Sequence, residues 1–383
     1  MKKTAWSLTL DQIIPGWEAQ PPKNGELTLG VFPGEGIGPA VIDVSLRILE
    51  TISRRTATPF KIHRGGKIGI QAYQESGRVL PPDVIEFCES IFHRGGAVLC
   101  GPAGGRFVYE LRAHFGLFCK ITPIRPLVSL LDTGAIKRTT KEGVDILIVR
   151  ENTGGIYLGY GEEISSPNGK AASHTFEYRE EEVERIMRVA LGLARSRRQH
   201  LTLILKSEGI PAISRLWLEV AERLMKNSGV NFEVMQVDHA AFELVHSPQR
   251  FDVVITSNLF GDILSDGCGV MLGSRGMCFS GNFGMDRRAV YQTGHGAAKD
   301  IEGRNLANPI GQILSLVMML QVSFHLPDAA KALLAAVEQT LEDGWRTADI
   351  AGPGNTTIGT KELGDRIIHS LEKSFEEQKN EAG

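Results

Sequence analysis

The sequence predicts an α/β protein with a largely parallel sheet, and two observations support this fold class. Short apolar runs rich in β-branched residues alternate with longer segments of helical periodicity along most of the chain. This alternation is typical of parallel sheets that are covered by helices. Chemically competent side chains follow several predicted strands directly, where α/β sheets place their ligands. These side chains are Tyr157, Lys206, Asp238 and Asp262.

The composition is that of an ordinary globular protein. The 383 residues are 42% hydrophobic and 23% charged, with a net charge of −3, so about two domains are expected. This balance offers no basic field for nucleic acid. The five cysteines form no CxxC pair, which predicts buried, reduced thiols in a cytoplasmic protein.

The N-terminus and the apolar segments predict neither a signal peptide nor a membrane span. The opening MKKTAWSLTL is charged, but Asp11, Gln12 and Pro15 interrupt the apolar run that a signal peptide needs. The most apolar later run, 313–320, is too short to cross a bilayer. Residues 1–26 are interpreted as an extension, either an ordered arm or a frayed tail.

The first predicted strand, 27–32, enters the glycine-rich loop 33–39, and a helix follows over 40–52. The loop is Pro-Gly-Glu-Gly-Ile-Gly-Pro, with the spacing GxGxG rather than the GxGxxG of dinucleotide-binding Rossmann folds. No acidic residue ends a second strand at the expected distance. The sequence therefore argues against a Rossmann fold.

Strands and helices continue to alternate beyond this loop, and then a long apolar helix begins after Asn308. Residues 159–175 are polar and rich in turn formers, which predicts a protruding arm. The further strands are predicted at 97–100, 144–149, 201–205, 232–237 and 251–256, and the further helices at 179–198, 212–226, 238–245 and from 258.

Two aspartates on the helix that follows residue 257 are candidate metal ligands. Asp262 and Asp266 are four residues apart, so their carboxylates share one face of the helix. A hard divalent cation would relieve their repulsion, and all-oxygen ligands suit Mg²⁺ or Mn²⁺. The alternative is a solvated helix face that carries two acids.

Several motifs, in order, resemble those of the isocitrate/isopropylmalate dehydrogenase family, the β-decarboxylating dehydrogenases, from residue 27 to the C-terminus. The motifs are PGEGIGP, RENTGGIY, VDHAA, NLFGDILSD and HGAAKDIEGRNLANP, with a strand-end lysine before SRLW and a late RTADI…GT. The resemblance implies the two-domain fold of that family. Residues 27–117 plus 274–383 would form a large discontinuous domain on the NAD side, and 118–273 a small domain with the arm and the dimer interface.

The resemblance also implies a function, NAD-dependent and divalent-metal-dependent oxidative decarboxylation of a 2-hydroxy acid that bears a carboxylate on C3. The family's three metal aspartates match Asp262 and Asp266, with Asp238 contributed by the other subunit of a homodimer. Lys206 matches the lysine that helps to remove the hydroxyl proton, and Tyr157 the tyrosine that protonates the enol at C3. A nearby cation would push the lysine toward its neutral form.

The residues that match substrate contacts include one departure from the family. Arginines bind the substrate carboxylates in this family, and Arg112 and Arg150 match two of the three. The position of the middle arginine is occupied by Thr122, and Arg125 or Lys120 could substitute for it, or one contact is missing.

The segment before Arg112 discriminates substrates in the family. Here it carries Val108 and Tyr109, which favour a less polar substituent, although Arg106 could bind an extra anionic group. An isopropylmalate-like substrate is expected, with isocitrate-, homoisocitrate- or tartrate-type and specialised-metabolism substrates left open.

The cofactor side of the resemblance favours NAD. Asp300 falls where NAD-dependent members bind the adenosine ribose, and His295, Gly296 and Asn308 match the adenine-binding segment. Three departures cluster near the nicotinamide end, namely Glu208, Ser257 and Gln292. These departures leave open a second class of function, a non-catalytic regulatory subunit of the same family.

Overall fold

The computed structural model describes residues 5–18 and 25–381, which form alternating strands and helices. The strands are Leu27–Phe32 (β1), Phe60–Arg64 (β2), Ala97–Cys100 (β3), Cys119–Ile124 (β4), Ile146–Glu151 (β5), Tyr160–Ser166 (β6), Gly169–Thr175 (β7), His200–Leu205 (β8), Asn231–Gln236 (β9), Val253–Thr256 (β10), Phe279–Phe283 (β11), Ala289–Thr293 (β12), Trp345–Arg346 (β13) and Thr356–Thr357 (β14). The helices are Gly38–Thr56 (α1), Gly69–Ser76 (α2), Pro82–His93 (α3), Phe107–Phe115 (α4), Arg138–Lys141 (α5), Glu180–Ser196 (α6), Pro211–Met225 (α7), Val237–His246 (α8), Asn258–Cys268 (α9), Ile310–Val322 (α10), Pro327–Glu342 (α11) and Thr360–Glu381 (α12).

One large sheet organises the described residues. It has ten strands in the order β2-β1-β3-β12-β11-β4-β5-β10-β8-β9. Both ends of the sheet are parallel, and the antiparallel pairings β12-β11, β11-β4 and β4-β5 lie together in its middle. The predicted α/β class with a largely parallel sheet is confirmed.

Helices cover both faces of the sheet, so its central strands are apolar on both sides. In β5, Leu147 and Val149 join the core beneath α6 and α10, whereas Ile146 and Ile148 join the core beneath α8 and α9. Helix α10 is buried almost all round, because it lies between the sheet and the helices α1 and α11. This explains why it reads as a continuous apolar run.

The predicted division into two domains falls between β11 and β4, and each part owns five adjacent strands of the sheet. The sheet itself is continuous across this boundary, since Asn282 of β11 pairs with Lys120 of β4. The division into domains stays a prediction.

The described part of the N-terminal extension is an ordered arm rather than a frayed tail. Leu10, Ile14 and Trp17 are fully buried. The Trp17 indole Nε1 donates a hydrogen bond to the Gly284 carbonyl oxygen at 2.9 Å, and the Trp6 ring stacks on Phe279 at 5.7 Å. Residues 1–4 and 19–24 of the predicted extension lie outside the described residues.

The protruding arm is a two-stranded antiparallel hairpin, β6–β7, and all its strand residues are exposed. All five cysteines are buried and free, as predicted. No helix among residues 5–18 and 25–381 is long and apolar enough to cross a membrane.

Candidate active site

The predicted chemical residues lie where strands end. Tyr157 is in a single helical turn after β5, and Lys206 directly follows β8. Asp238 is in the first turn of α8, after β9, and Asp262 is on α9, after β10. Because β5, β10, β8 and β9 are parallel neighbours, these residues all lie along one edge of the sheet.

Asp262 is the centre of a compact polar cluster. It accepts hydrogen bonds from the Arg150 guanidinium and, at 2.9 Å, from the Tyr157 hydroxyl. The Arg150 Nε also donates to the Asn258 side-chain oxygen at 2.9 Å. Gly261 permits this approach, since a Cβ there would lie 2.8 Å from the Arg150 side chain. The start of α9 is therefore fitted closely around Arg150.

Tyr109 and two arginines, Arg106 and Arg112, line the site from α4 and the residue before it. The Tyr109 ring lies 5.1 Å from the Tyr157 ring, centroid to centroid. The Arg112 guanidinium lies 5.9 Å from the Tyr109 centroid and that of Arg106 at 5.6 Å. Arg106 also donates to the Tyr157 carbonyl oxygen at 3.0 Å. This lining is aromatic and cationic together, which suits an organic anion.

The structure distinguishes between the two candidate substitutes for the missing arginine. Lys120 lies on β4 opposite Arg150 and is 8% exposed. Arg125 lies just beyond the other end of β4, and its charge acts on Glu338 of α11. The predicted substrate role of Arg125 is therefore not supported by its location, whereas Lys120 is in the site.

The charges around Asp262 keep it ionised and keep Tyr157 protonated. Burial opposes ionisation of Asp262, but Arg150, Lys120 and the hydrogen bonds from Tyr157 and Arg150 outweigh it and lower the pKa of its carboxyl. Burial and the neighbouring Asp262 carboxylate raise the pKa of the Tyr157 hydroxyl. Tyr157 thus holds a proton that it can give at neutral pH.

The remaining predicted metal and base residues form two separate ion pairs. Lys206 donates to the Asp238 carboxylate at 2.6 Å, and both side chains are largely exposed. Asp266 pairs with Arg275 at 2.7 Å. Among the described residues, no three His, Cys, Asp or Glu side chains lie close enough together to hold a metal ion. Within one chain, Asp262 and Asp266 therefore stand without a third carboxylate.

The predicted cofactor residues lie on loops next to the glycine-rich segment 33–39. The Ile37 amide donates to the Ala297 carbonyl oxygen at 2.9 Å, and a Cβ on Gly36 would lie only 1.9 Å from the same oxygen. This close contact explains the glycine, whose φ is +59°. Gly296, the residue before Ala297, is exposed.

Three further cofactor candidates differ in their exposure and in the hydrogen bonds that their side chains already make. The His295 Nδ1–H donates to the Gly296 carbonyl oxygen at 2.9 Å, and its buried Nε2 has no partner among the described residues. Burial lowers the pKa of His295, so the ring is neutral at pH 7. The Asp300 residue is exposed. The Asn308 amide is already bonded to the Ile310 amide and to Asp349.

Sequence reasoning missed two residues that shape the site. Buried Glu35 accepts hydrogen bonds from the Gln71 and Gly104 amides, each at 2.7 Å, and so connects the glycine-rich loop to α2 and to the loop after β3. Asn258 bridges Arg150 and the Gly154 carbonyl oxygen. A signal existed for both, since Glu35 is the one acid in the glycine-rich loop and Asn258 is the first residue of the helix that carries the aspartate pair.

Comparisons with known proteins identify the family of the chain. The family model described as Isocitrate/isopropylmalate dehydrogenase matches residues 28–367. The 3-isopropylmalate dehydrogenase of Aquifex aeolicus is 36% identical over 90% of this chain and 97% of its own length. That of Moorella thermoacetica is 38% identical over 90% and 99%. The crystal structure of isocitrate dehydrogenase from Methylococcus capsulatus has a TM-score of 0.80 at 29% identity, over 90% and 99%. The chain belongs to the isocitrate/isopropylmalate dehydrogenase family.

Proposed function

We propose that this protein is an NAD-dependent, Mg²⁺- or Mn²⁺-dependent dehydrogenase that oxidises and decarboxylates a substituted malate of the 3-isopropylmalate type. The observation that carries the proposal is the cluster in which Asp262 contacts both Arg150 and Tyr157. The cluster brings together Arg150, which can bind a carboxylate, Tyr157, which can donate a proton, and Asp262, whose carboxylate is of the kind that binds metal ions. Curated relatives with 36–38% identity over about nine tenths of the chain bear the name 3-isopropylmalate dehydrogenase.

The cationic side chains would orient the substrate. Arg112 and Arg150 are both buried, and each has a buried guanidinium nitrogen with no partner among the described residues. Such nitrogens are satisfied when a carboxylate binds. Tyr109 then faces the substituent on C3, and its ring favours a substituent of low polarity.

The proposed reaction would balance in three steps. C2 would give its hydride to bound NAD while the hydroxyl proton passes to Lys206, which would produce a keto group next to the C3 carboxylate. Loss of CO₂ would then leave an enolate, and the Tyr157 hydroxyl would donate a proton to C3 and regain one from Lys206 or from water. The Tyr157 hydroxyl, whose pKa is raised by burial and by Asp262, is protonated at neutral pH and so carries the proton that this step requires.

Asp262 and Asp266 offer carboxylate oxygens, the donor type that Mg²⁺ and Mn²⁺ prefer, and both side chains are partly exposed. A bound divalent ion would supply Lewis-acid stabilisation of charge on the C2 oxygen. Asp238 of a second subunit would be the third ligand. Since Lys206 is paired with Asp238, the subunit that lends Asp238 lends Lys206 as well.

A homodimer is supported by apolar residues beside these ligands. Phe242 and Val245 on α8 are 60% and 39% exposed, and Ile263 on α9 is 60% exposed. Phe242 is one helical turn from Asp238, and Ile263 is adjacent to Asp262. Burying this face against a second copy would cover apolar surface and complete the metal site together.

The nucleotide would lie along the loops 33–39 and 294–300. His295 offers a neutral ring and Asp300 an exposed carboxylate for the adenosine ribose. An aspartate in that place would repel the extra phosphate of NADP, so NAD is favoured.

The test is a substrate panel with NAD and Mn²⁺, with NADH formation followed by absorbance. We expect turnover of 3-isopropylmalate above that of isocitrate, homoisocitrate and tartrate, and loss of turnover with EDTA. Asp262→Asn should abolish metal-dependent NADH formation, whereas Asp365→Asn, which removes an exposed carboxylate paired with Arg47 on the molecule's surface, should not. Unchanged turnover in Asp262→Asn would contradict the proposal, as would nucleotide binding without activity on any substrate.

A further inference from the structure

Lys120 and Arg150 are two buried cations placed side by side. They are directly opposite each other in the antiparallel pair β4-β5, and on its other side Lys120 is opposite Asn282 of β11. Opposite residues of paired strands project from the same face of the sheet, with their Cβ atoms about 5 Å apart. Lys120 is 8% exposed and Arg150 1% exposed. Like charges in this arrangement destabilise a sheet, so it requires an explanation.

The protein supplies too little negative charge to explain this arrangement. Arg112 of α4, 4% exposed, adds a third buried cation nearby. Asp262 is already bonded to Arg150 and Tyr157, and Asp266 is paired with Arg275. Burial, Arg150 and Arg112 lower the pKa of Lys120 to about 7, and the attraction of Asp262 and Asp266 offsets these effects only in part. The three cations thus repel one another in the ligand-free chain.

The hydrogen-bonding groups of these cations are also unsatisfied. The Lys120 ammonium has no hydrogen bond or ion pair with any residue in the described part of the chain. The Arg112 Nε and one terminal nitrogen of Arg150 are buried and likewise lack partners there. Buried donors of this kind are normally paired, so an external acceptor is expected. An acceptor with two carboxylates would offset the charge of three cations more fully than a single carboxylate would.

We propose that Lys120 binds the substrate directly, with its ammonium and Arg150 holding one carboxylate of a dicarboxylate between them. The inference rests on the proposed function in taking that anion to be the 2-hydroxy acid. Thr122, two residues along the same face of β4, is a shorter side chain than the arginine that the family has at that position. Lysine acts here as a point charge, whereas an arginine would impose a planar fork of donors.

The test compares Lys120→Met, which keeps the length of the side chain and removes its charge, with Arg125→Met at the far end of β4. Binding of 3-isopropylmalate in the presence of Mg²⁺ is measured by titration calorimetry, without NAD and without turnover. We expect Lys120→Met to raise Kd, and KM in the assay, by about 10- to 150-fold, the value of a hydrogen bond to a charged group. Arg125→Met should leave both within about twofold, because Arg125 is outside the cation cluster.

A second readout separates binding from folding. The ligand-free melting temperature of Lys120→Met should not fall, because the substitution removes one of three mutually repelling cations. If Lys120→Met does not fold, Lys120→Gln is titrated in its place. Affinity equal to that of the wild type in either variant would overturn the inference. A wild-type chain that binds the dicarboxylate without reducing NAD would overturn the proposed function, and the comparison of affinities would still test Lys120.

Discussion

At the scale of single residues, the site depends on how Asp262 is shared. Its carboxylate accepts from Arg150 and Tyr157 at once, so the residue expected to hold a cation also orients the acid and a carboxylate-binding arginine. Substituting Asp262 would therefore disturb the binding of a cation, the orientation of Tyr157 and the orientation of Arg150 together. In Tyr157, by contrast, the hydroxyl can be removed while the ring is kept. Tyr157 is thus the better probe of the proton-transfer step.

Tyr157→Phe removes the hydroxyl and keeps the ring that packs on Tyr109. We expect kcat to fall about 10²- to 10⁴-fold, the usual contribution of a general acid, with KM changed only a few fold. Steady-state NADH formation checks this. Tyr160→Phe, on the exposed arm, provides the matched control. A variant with wild-type kcat would show that Tyr157 is not the acid.

At the scale of elements, the ordered N-terminal arm connects distant parts of the chain. Trp17 is fully buried, and its indole bonds to the Gly284 carbonyl oxygen just after β11. Its ring also contacts Phe283 edge-on at 5.4 Å. The arm therefore supports β11, the strand next to the one that carries Lys120.

Trp17→Ala should lower the free energy of unfolding by roughly 3–5 kcal/mol, because it leaves a large cavity under the arm and an unpaired carbonyl group. Urea denaturation measures the loss. Trp6→Ala, at a half-buried ring that stacks on Phe279, should cost clearly less. Equal losses in the two variants would mean that burial of Trp17 does not anchor the arm.

At the scale of the whole molecule, one chain does not gather the residues that the chemistry requires. Lys206 and Asp238 form one group, and Asp262 with its arginines forms another. Apolar side chains are exposed on α8 and α9, the helices that carry the aspartates. Association of two copies would place both groups in one site, so activity should depend on the oligomeric state.

If the proposed homodimer forms through this face, Phe242→Asp should convert it to a monomer and abolish turnover, because the substitution places a charge in the centre of the apolar face. Light scattering after gel filtration gives the mass, and the NADH assay gives the rate. Tyr73→Asp alters a side chain of nearly equal exposure on α2, away from this face, and should change neither. A fully active wild-type monomer would contradict the shared site.

Local patterns predicted much of this architecture. The ends of β8, β9 and β10 are marked by apolar runs that stop at a polar residue, so Lys206, Asp238 and Asp262 could be placed from the sequence. The position of Lys120 could not, because its importance arises from the antiparallel pairing of β4 with β5, which no local spacing reveals. The sequence also left open whether the N-terminal arm is ordered or frayed, because Gly284, to which Trp17 donates a hydrogen bond, is 267 residues away.

Strands β11 and β12 join the two halves of the ten-stranded sheet, and they are synthesised late in translation. Until residues 279–293 have left the ribosome, β3 lacks its neighbour β12 and β4 lacks its neighbour β11. Open strand edges invite pairing between different chains, and contacts across such long sequence separations form slowly. Misassembly is therefore most probable during translation between residue 124 and residue 279. Yield in the cell should respond to the speed of translation and to chaperones, even where the finished enzyme is stable.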